Sequence, residues 1–185
     1  MNGWLLIYKV PKEPSTARVT IWRRTKHLGA LYLQQSACFL PDRGNNRQAL
    51  EAVAQEVRAF GGDAHLLRVS EDGEEGQRLA ARVQEDRAAE YAELLEQTGQ
   101  LHTELVRETG ARKFTFAELE DMESALERLR IWLTRIEARD IEASEAYRNA
   151  ALEVANVTDA VAAFSQQVYQ HEALALREQH AEELS

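Results

Sequence analysis

Over the first seventy residues, short runs of apolar residues alternate with segments in which apolar residues recur at helical spacing. Trp4–Val10 is apolar and rich in β-prone side chains, and two prolines follow it, so the pattern predicts a buried first strand. Ser15 or Thr16 can cap a helix that continues to about Leu28, and Gly29 is suited to end it. The first two predicted elements are therefore a strand and a helix.

Two strand-like runs and a second helix follow. Leu31–Gln35 and Ser36–Leu40 have strand composition, and the pattern leaves open whether they form two strands or one bent strand. A helix-spaced apolar set comes next, consisting of Ala49, Val53, Val57 and Phe60, and Ala64–Val69 predicts a last strand. The order βαββαβ predicts an α+β fold for residues 1–72, namely a ferredoxin-like sandwich in which two helices cover an antiparallel sheet.

Residues 73–185 carry only helical signals, and these predict three helices. Gly99 is a position where the first helix can kink, and Gly110 is a position where it ends. Thr115 and Glu118 have capping-box spacing and start the second helix. The apolar stripes of the last two helices are Leu119, Met122, Leu126, Leu129, Leu133 and Ile136, then Tyr147, Ala150, Val154, Val157, Val161, Phe164, Val168 and His171. This pattern predicts a second domain, an antiparallel, coiled-coil-like helical region that pairs within the chain or between subunits.

The charge is distributed unevenly along the 185 residues, whose formal net charge is −9. Residues 1–70 hold ten Lys/Arg and five Asp/Glu, a charge of +5, whereas the remainder holds twelve and twenty-six, a charge of −14. Such asymmetry indicates that only the front part attracts a polyanion. The chain shows no secretory signal and no run of about 20 apolar residues that could span a bilayer. Together with the single cysteine, these features favour a reducing cytoplasm.

The predicted first helix has a cationic outer face. On a helical wheel Ala17, Ile21 and Leu28 share one side, and the basic residues lie opposite that side or at its edge. Arginine and lysine bind phosphate oxygens, and an exposed tryptophan can pack on a sugar or base. The candidate DNA-contact residues are Arg18, Trp22, Arg23, Arg24, Lys26 and His27. The alternative interpretation is an ordinary solvated helix face.

Motifs for catalysis, metals or cofactors are not found in the sequence. The five histidines are scattered, no Cys/His spacing resembles a zinc site, and no nucleophile or phosphate-loop motif occurs. Cys38 lies in a predicted strand and is interpreted as a small core residue rather than a reactive thiol. His171 continues the apolar stripe of the last helix and is interpreted as a packed residue. The expectation is a protein without enzymatic activity, metal or cofactor.

Two blocks of the sequence resemble one family. WLLIYKVPKEPSTARVTIWRRTKHLGALYLQQSACFLP, starting at Trp4, and ARKFTFAELEDMESALERLRIWLTRIEARD at 111–140 are similar to the N-terminal domain of ChrB-type chromate-resistance regulators. The resemblance implies a bacterial transcriptional regulator that binds promoter DNA of a chromate-efflux operon. It also implies that Arg18 and Arg23 contact the DNA, with Arg24 and Lys26 nearby. Longer members have a further C-terminal domain implicated in sensing chromate, so the response of this polypeptide to chromate stays open.

The front sandwich is also similar to a ferredoxin-like domain of phenylacetate-pathway repressors and CRISPR-associated nucleases. Those nucleases hold a metal through an acid just after the first strand. The corresponding residues here are Tyr8-Lys9-Val10, so metal-dependent cleavage is not expected.

The leading hypothesis is a cytoplasmic, homodimeric regulator that binds double-stranded promoter DNA through the basic helix, with an oxyanion such as chromate as a possible effector. The alternative is a non-enzymatic protein-interaction module that acts through the helices at 115–139 and 141–183. An oxyanion-reducing enzyme has little support, because flavin, nicotinamide and metal fingerprints are not found. The operator sequence, the effector site and the oligomeric state do not follow from the sequence.

Overall fold

A computed structural model describes residues 2–13, 15–70, 73–140 and 144–183 of the chain. These residues form four strands and five helices. The elements are β1 (Asn2–Lys9), α1 (Ser15–His27), β2 (Leu31–Gln34), β3 (Ala37–Pro41), α2 (Asn46–Ala59), β4 (Asp63–Ser70), α3 (Glu74–Gly110), α4 (Phe116–Glu137) and α5 (Glu145–Glu183). The predicted α+β class, with an antiparallel sheet followed by helices, is confirmed.

β1 is a central strand of the sheet, whose strand order is β2-β3-β1-β4. Leu5 of β1 lies opposite Phe39 of β3 on one side and opposite Leu67 of β4 on the other. The question left open at 31–40 is resolved as two antiparallel strands, β2 and β3, joined by a turn at 35–36. Because β1 is paired on both edges and one of its faces is buried under α1 and α2, its apolar composition fits its position.

One face of the sheet packs against α1 and α2. Alternate strand residues enter this core, as the two-residue period of a strand requires, and they are Leu6, Tyr8, Cys38, Leu40 and Ala64. α1 contributes Ala17, Ile21 and Thr25, all fully buried. The wheel identified the first two, whereas Leu28 is only half buried and Thr25 occupies the core position. The burial of this face turns the remaining side of α1 towards solvent.

The opposite face of the sheet holds Phe39, which is fully buried. Its ring lies against Gly3 of β1, so closely that a Cβ added to Gly3 would be 2.2 Å from Cε2 and Cζ of Phe39 and 2.9 Å from the Leu40 carbonyl oxygen. No side chain larger than hydrogen fits this space without displacing the ring. The glycine is therefore required by packing rather than by backbone conformation.

α3, α4 and α5 build a second core. Most of the predicted stripe residues of α4 and α5 are buried in this core, whereas the predicted members Leu133 and Tyr147 are only partly buried against it. Its buried members are Tyr91, Leu94, Leu101 and Leu105 of α3, Leu119, Met122, Leu126, Leu129 and Ile136 of α4, and Ala150, Val154, Val157, Val161, Phe164 and Val168 of α5. α4 and α5 are antiparallel, because Phe116 contacts Tyr169 at 5.4 Å between ring centroids while Tyr147 donates a hydrogen bond to Glu137 at 2.8 Å. The predicted member His171 is exposed and contacts the Phe114 ring at 6.2 Å, so it lies outside the packed stripe.

The predicted helix ends are largely confirmed. Thr115 caps α4, and its side-chain oxygen accepts a hydrogen bond from the Glu118 N–H at 3.3 Å. Gly99 does not interrupt α3, which continues to Gly110. The residue that reverses the backbone after α3 is Arg112, with φ of 53°, a conformation usually left to glycine. The position of the helix end was predicted correctly, but the residue that adopts the left-handed conformation was not.

Among the described residues of the helical part, two charged groups are buried. Arg87, 5% exposed, pairs with Glu90 at 3.0 Å, and Glu90 also binds Arg139 at 2.7 Å, which links the early part of α3 to the residues after α4. Glu108, 1% exposed, lies between Arg107 and Lys113, whose nitrogens are 2.7 and 3.1 Å from its carboxylate oxygens. Buried charges are tolerated when they are paired in this way.

The chain divides into two compact units, one reaching Asp86 and the other starting at Arg87, so the division falls inside α3. The predicted boundary after residue 72 stays a prediction. No helix in the described ranges combines the length and apolar character needed to cross a membrane.

Gly3→Ala should destabilise the protein by about 1 to 3 kcal/mol, because the new methyl group overpacks the buried Phe39 ring. Denaturant unfolding of the full chain measures the change. Gly99→Ala is the matched control: nothing lies within 4 Å of its added Cβ, and it should stabilise α3 by about 0.8 to 1 kcal/mol. Equal effects of the two substitutions would contradict the packing described for β1 and β3.

The ion pairs of Glu108 predict that part of the free energy of unfolding is lost in acid. Hydrogen bonds from Arg107 and then from Lys113 lower the pKa of Glu108 below its ordinary value. The carboxylate of Glu108 therefore binds a proton more readily in the unfolded state than in the folded state, so protonation favours unfolding. The stability that Glu108 contributes should be complete above the unfolded pKa of about 4.3 and should be lost as pH falls through the lower folded pKa.

The measurement is the melting temperature of wild type and Glu108→Gln between pH 7 and pH 2. Glu108→Gln should melt below wild type at neutral pH, and the difference should shrink in acid. Glu123→Gln, at an exposed position of α4, is the control and should follow wild type throughout. A difference that is independent of pH would show that the charge of Glu108 is not what stabilises this helix end.

Candidate nucleic-acid interface

The outer side of α1 carries several exposed cations. The helix contains no aspartate or glutamate, and Arg18, Arg23 and Lys26 are exposed. Of its basic residues, Arg24 has an ion-pair partner in the described part of the chain, Glu56 of α2 at 3.0 Å, while the Lys26 ammonium lies 6.0 Å from the centre of the Tyr32 ring. Most of the positive charge on α1 is therefore available to an anionic ligand.

A first groove, with a volume of about 590 Å³, lies along one side of α1. Its lining includes Lys9 from the end of β1, Arg18 and Trp22 from α1, and Tyr8 and Tyr32 from the sheet. Trp22 is 50% exposed, which is high for so large an apolar side chain. We call this surface the Trp22 groove; it combines cations with aromatic rings.

A second groove, of about 480 Å³, lies between α1 and α2. Arg23, Arg24 and His27 line its α1 side, and Ala49 and Ala52 line its α2 side. It has no aromatic ring other than the imidazole of His27. We call it the Arg23 groove; it offers positive charge on a shallow apolar floor.

The structure places the six predicted contact residues on one helix but not on one surface. Arg18 and Trp22 meet in the Trp22 groove, and three others share the Arg23 groove. Lys26 lines neither groove and lies beside Tyr32. Lys9 was missed by the sequence reasoning; its signal was the single cation at the end of an apolar strand, beside the start of the basic helix.

Three arginines of the first unit outside α1 are engaged by the protein itself. Arg47 pairs with Glu51 at 2.9 Å and lies 5.1 Å from the Trp4 ring, and Arg68 lies 3.6 Å from Asp42. Arg58 donates to the Ala64 carbonyl at 2.6 Å. These partners separate the arginines that hold the fold from those on α1 that remain open to a ligand.

A chain of three hydroxyl groups lies beneath the Trp22 groove. Thr25 is fully buried and lies 3.0 Å from the carbonyl oxygens of Ile21 and Trp22, to which its hydroxyl donates. Thr25 therefore accepts from Tyr32, whose oxygen accepts in turn from Tyr8 at 3.0 Å. Burial, and next the hydrogen bond with Tyr32, raise the pKa of Tyr8, so this hydroxyl stays protonated at neutral pH.

The described residues show little chemistry for catalysis. Cys38 is a fully buried free thiol, and burial raises the pKa of its sulfur to about 12, which confirms its interpretation as a core residue. Among these residues no group of three or more His, Cys, Asp or Glu side chains is arranged to hold a metal ion. The arrangement around α1 is suited to binding an anion.

Comparison with known proteins identifies the family. Residues 18–175 match the family described as "Protein ChrB, N-terminal". The chain belongs to the ChrB N-terminal family. The match starts within α1, includes all six predicted contact residues, and continues into α5. The resemblance found in the two sequence blocks is thereby confirmed.

A curated relative, Protein ChrB of Cupriavidus metallidurans, is 34% identical over 93 residues. The aligned segment covers 50% of this chain and 28% of the relative. The chain thus matches less than a third of the length of that ChrB protein, and the activity of the longer protein does not transfer directly.

Thr25→Val should destabilise the first unit by about 1 to 3 kcal/mol, because it leaves the Tyr32 hydroxyl without its acceptor at nearly constant volume. Thermal unfolding of the full chain measures the loss. Thr20→Val, a half-buried position on the same helix, is the control and should change stability by less than about 0.5 kcal/mol. The double variant Thr25→Val/Tyr32→Phe should lose less free energy of unfolding than the two single variants lose together. If its loss equals their sum, the two hydroxyls are not coupled.

Proposed function

We propose that this ChrB-family chain is a non-enzymatic transcriptional regulator that binds promoter DNA through α1. The observation that carries the proposal is the exposed face of α1, where Arg18, Arg23 and Lys26 have no acidic partner in the described residues and the helix itself contains no acid. Phosphate contacts from such side chains supply much of the affinity of a protein for duplex DNA.

The distribution of charge supports the same surface. Residues 1–70 carry a formal charge of +5 and the remainder −14, so polyanion binding is favoured only in the first part of the chain. The two grooves beside α1 extend this surface on both sides of the helix. A duplex approaching α1 would meet arginines on either side of it.

The architecture supports the finer fold assignment. We assign residues 1–72 to a ferredoxin-like sandwich, since the order β2-β3-β1-β4 with α1 and α2 on one face is the order expected for a βαββαβ unit of this class. We also assign coiled-coil-like packing to the antiparallel helices α4 and α5, since their buried residues recur with three- and four-residue spacing. In this proposal the sandwich presents α1, and the helices support a homodimer in the bacterial cytoplasm.

The family supports a role in chromate resistance. The resemblance of the two sequence blocks to ChrB-type regulators implies a chromate-efflux operon as the target, and we propose an oxyanion such as chromate as the effector. These remain proposals for this chain, which aligns with 28% of the curated relative.

The experiment is fluorescence-anisotropy titration of duplex DNA from upstream of the chain's own gene, across a salt series. Arg18→Ala/Arg23→Ala should weaken binding by at least about tenfold at moderate salt. It should also reduce the slope of log K against log salt by about 1.8, the value for two lost phosphate contacts. Circular dichroism checks that the variant is folded.

The matched control is Arg47→Ala/Arg68→Ala, which removes the same charge from arginines engaged with Glu51 and Asp42. This control should retain the wild-type slope. If both double variants lose affinity equally, total charge rather than the α1 face governs binding. If folded wild type does not bind at low salt, the proposal fails.

A second candidate function is a protein-interaction module formed by the C-terminal helices. It is favoured by large apolar side chains left exposed there, Phe116 at 49%, Leu152 at 60% and Tyr169 at 60%. A folded protein without DNA affinity would favour this candidate.

A further inference from the structure

The Trp22 groove differs from the Arg23 groove in its chemistry. Both contain cations, but the Trp22 groove adds an exposed indole and two tyrosine rings. Its volume of about 590 Å³ falls in the range of pockets for small organic ligands, about 300 to 1,000 Å³. Duplex phosphates require only the cations, so the aromatic lining calls for a ligand that also has a flat ring.

The apolar wall of this groove is formed by α1. Trp22 is 50% exposed and Val19, one turn before it, is 44% exposed. Residues three apart share one side of a helix, so the two side chains form a continuous apolar surface. An indole held on a rigid helix and open to water is a suitable stacking surface for a nucleobase, because every base has a π-face.

The charge in the groove comes from two separate elements. Lys9 is at the end of β1 and Arg18 is in the second turn of α1. Neither has an ion-pair partner in the described ranges, and no described acid lines the groove. Two free cations beside a stacking surface match a phosphate attached to a base through a sugar.

The rest of the groove lining is polar. Tyr8 and Tyr32 share a hydrogen bond, and Tyr32 shares another with Thr25, so both tyrosine hydroxyls are engaged within the protein. Gln35 and Ser36 also line the groove, and their side chains can each donate and accept hydrogen bonds. These groups can pair with the donors and acceptors on the edge of a stacked base.

We propose that the Trp22 groove is a subsite for one nucleotide, with the base stacked on Trp22 and the phosphate bound by Lys9 and Arg18. The nucleotide comes either from a free mononucleotide or from an unstacked position of a DNA strand. Only the second source rests on the proposed DNA-binding function. The Arg23 groove has no comparable ring and binds phosphate alone.

The test follows the indole N–H signals of the ¹⁵N-labelled full chain by NMR. The chain has three tryptophans, Trp4, Trp22 and Trp132, and Trp22→Phe assigns the signal of interest. The probes are adenosine 5′-monophosphate, adenosine, ribose 5-phosphate, a single-stranded tetranucleotide and the promoter duplex. Adenosine 5′-monophosphate should shift the Trp22 signal saturably, and the two fragments should bind at least about tenfold more weakly.

Substitutions separate the two grooves. Trp22→Ala should weaken binding of the mononucleotide by about tenfold or more, the effect of losing one stacked base. Lys9→Ala and Arg18→Ala should each weaken it several-fold, whereas Arg23→Ala should leave it unchanged. Unchanged Trp4 and Trp132 signals show that each variant is folded. Equal losses from Arg18→Ala and Arg23→Ala would overturn the assignment to this groove.

The experiment distinguishes a free mononucleotide from a DNA strand as the source of the nucleotide. It also separates the nucleotide subsite from the proposed DNA-binding function. A tetranucleotide that binds at least about tenfold more tightly than the mononucleotide indicates a strand as the source, and equal binding indicates the free nucleotide. If the duplex binds but neither the mononucleotide nor the tetranucleotide shifts the Trp22 signal, the subsite is wrong and the DNA function stands. If the mononucleotide binds and the duplex does not, the subsite stands and the DNA function fails.

Discussion

Burial of one face of α1 against the sheet is the constraint on which the candidate site depends. Ala17, Ile21 and Thr25 are fully buried, and Thr25 adds a directional bond to Tyr32 that sets the rotation of the helix about its axis. An apolar contact alone tolerates some rotation, whereas a hydrogen bond between fixed atoms tolerates little. Because the helix has no acid, this one rotation determines which cations meet solvent and which groove each of them lines.

The same rotation produces two surfaces with different chemistry. The side of α1 that faces the end of β1 shares a groove with aromatic residues, and the side that faces α2 shares a groove with alanines. Elsewhere in the first unit arginines are bound by Trp4, Asp42 and Glu51, so their charge is compensated. An anionic ligand is therefore directed to α1 for two reasons. The helix carries exposed cations, and the arginines elsewhere in the first unit already have partners.

Local signals predicted most of the elements, because strand composition, helical spacing and capping act within a few residues. The α4 cap at Thr115 and the apolar stripes are examples. The features that were missed depend on pairing between distant segments. Lys9 joins the site because β1 ends beside α1, and Thr25 gains its bond to Tyr32 because β2 returns beside α1. The sequence near Thr25 does not indicate this partner, which lies on another element.

The net charge of −9 does not oppose binding of DNA to α1. At about 0.1 M salt, exposed charges are screened over about 10 Å, so a phosphate responds to the side chains nearest to it and little to the total charge. The nearest side chains on the exposed face of α1 are Arg18, Arg23 and Lys26, with no acid on the same helix. Segregation of acids into residues 71–185 keeps this face cationic while the whole chain stays acidic. Local composition, and not the overall charge, is thus the quantity that decides whether such a chain can bind a polyanion.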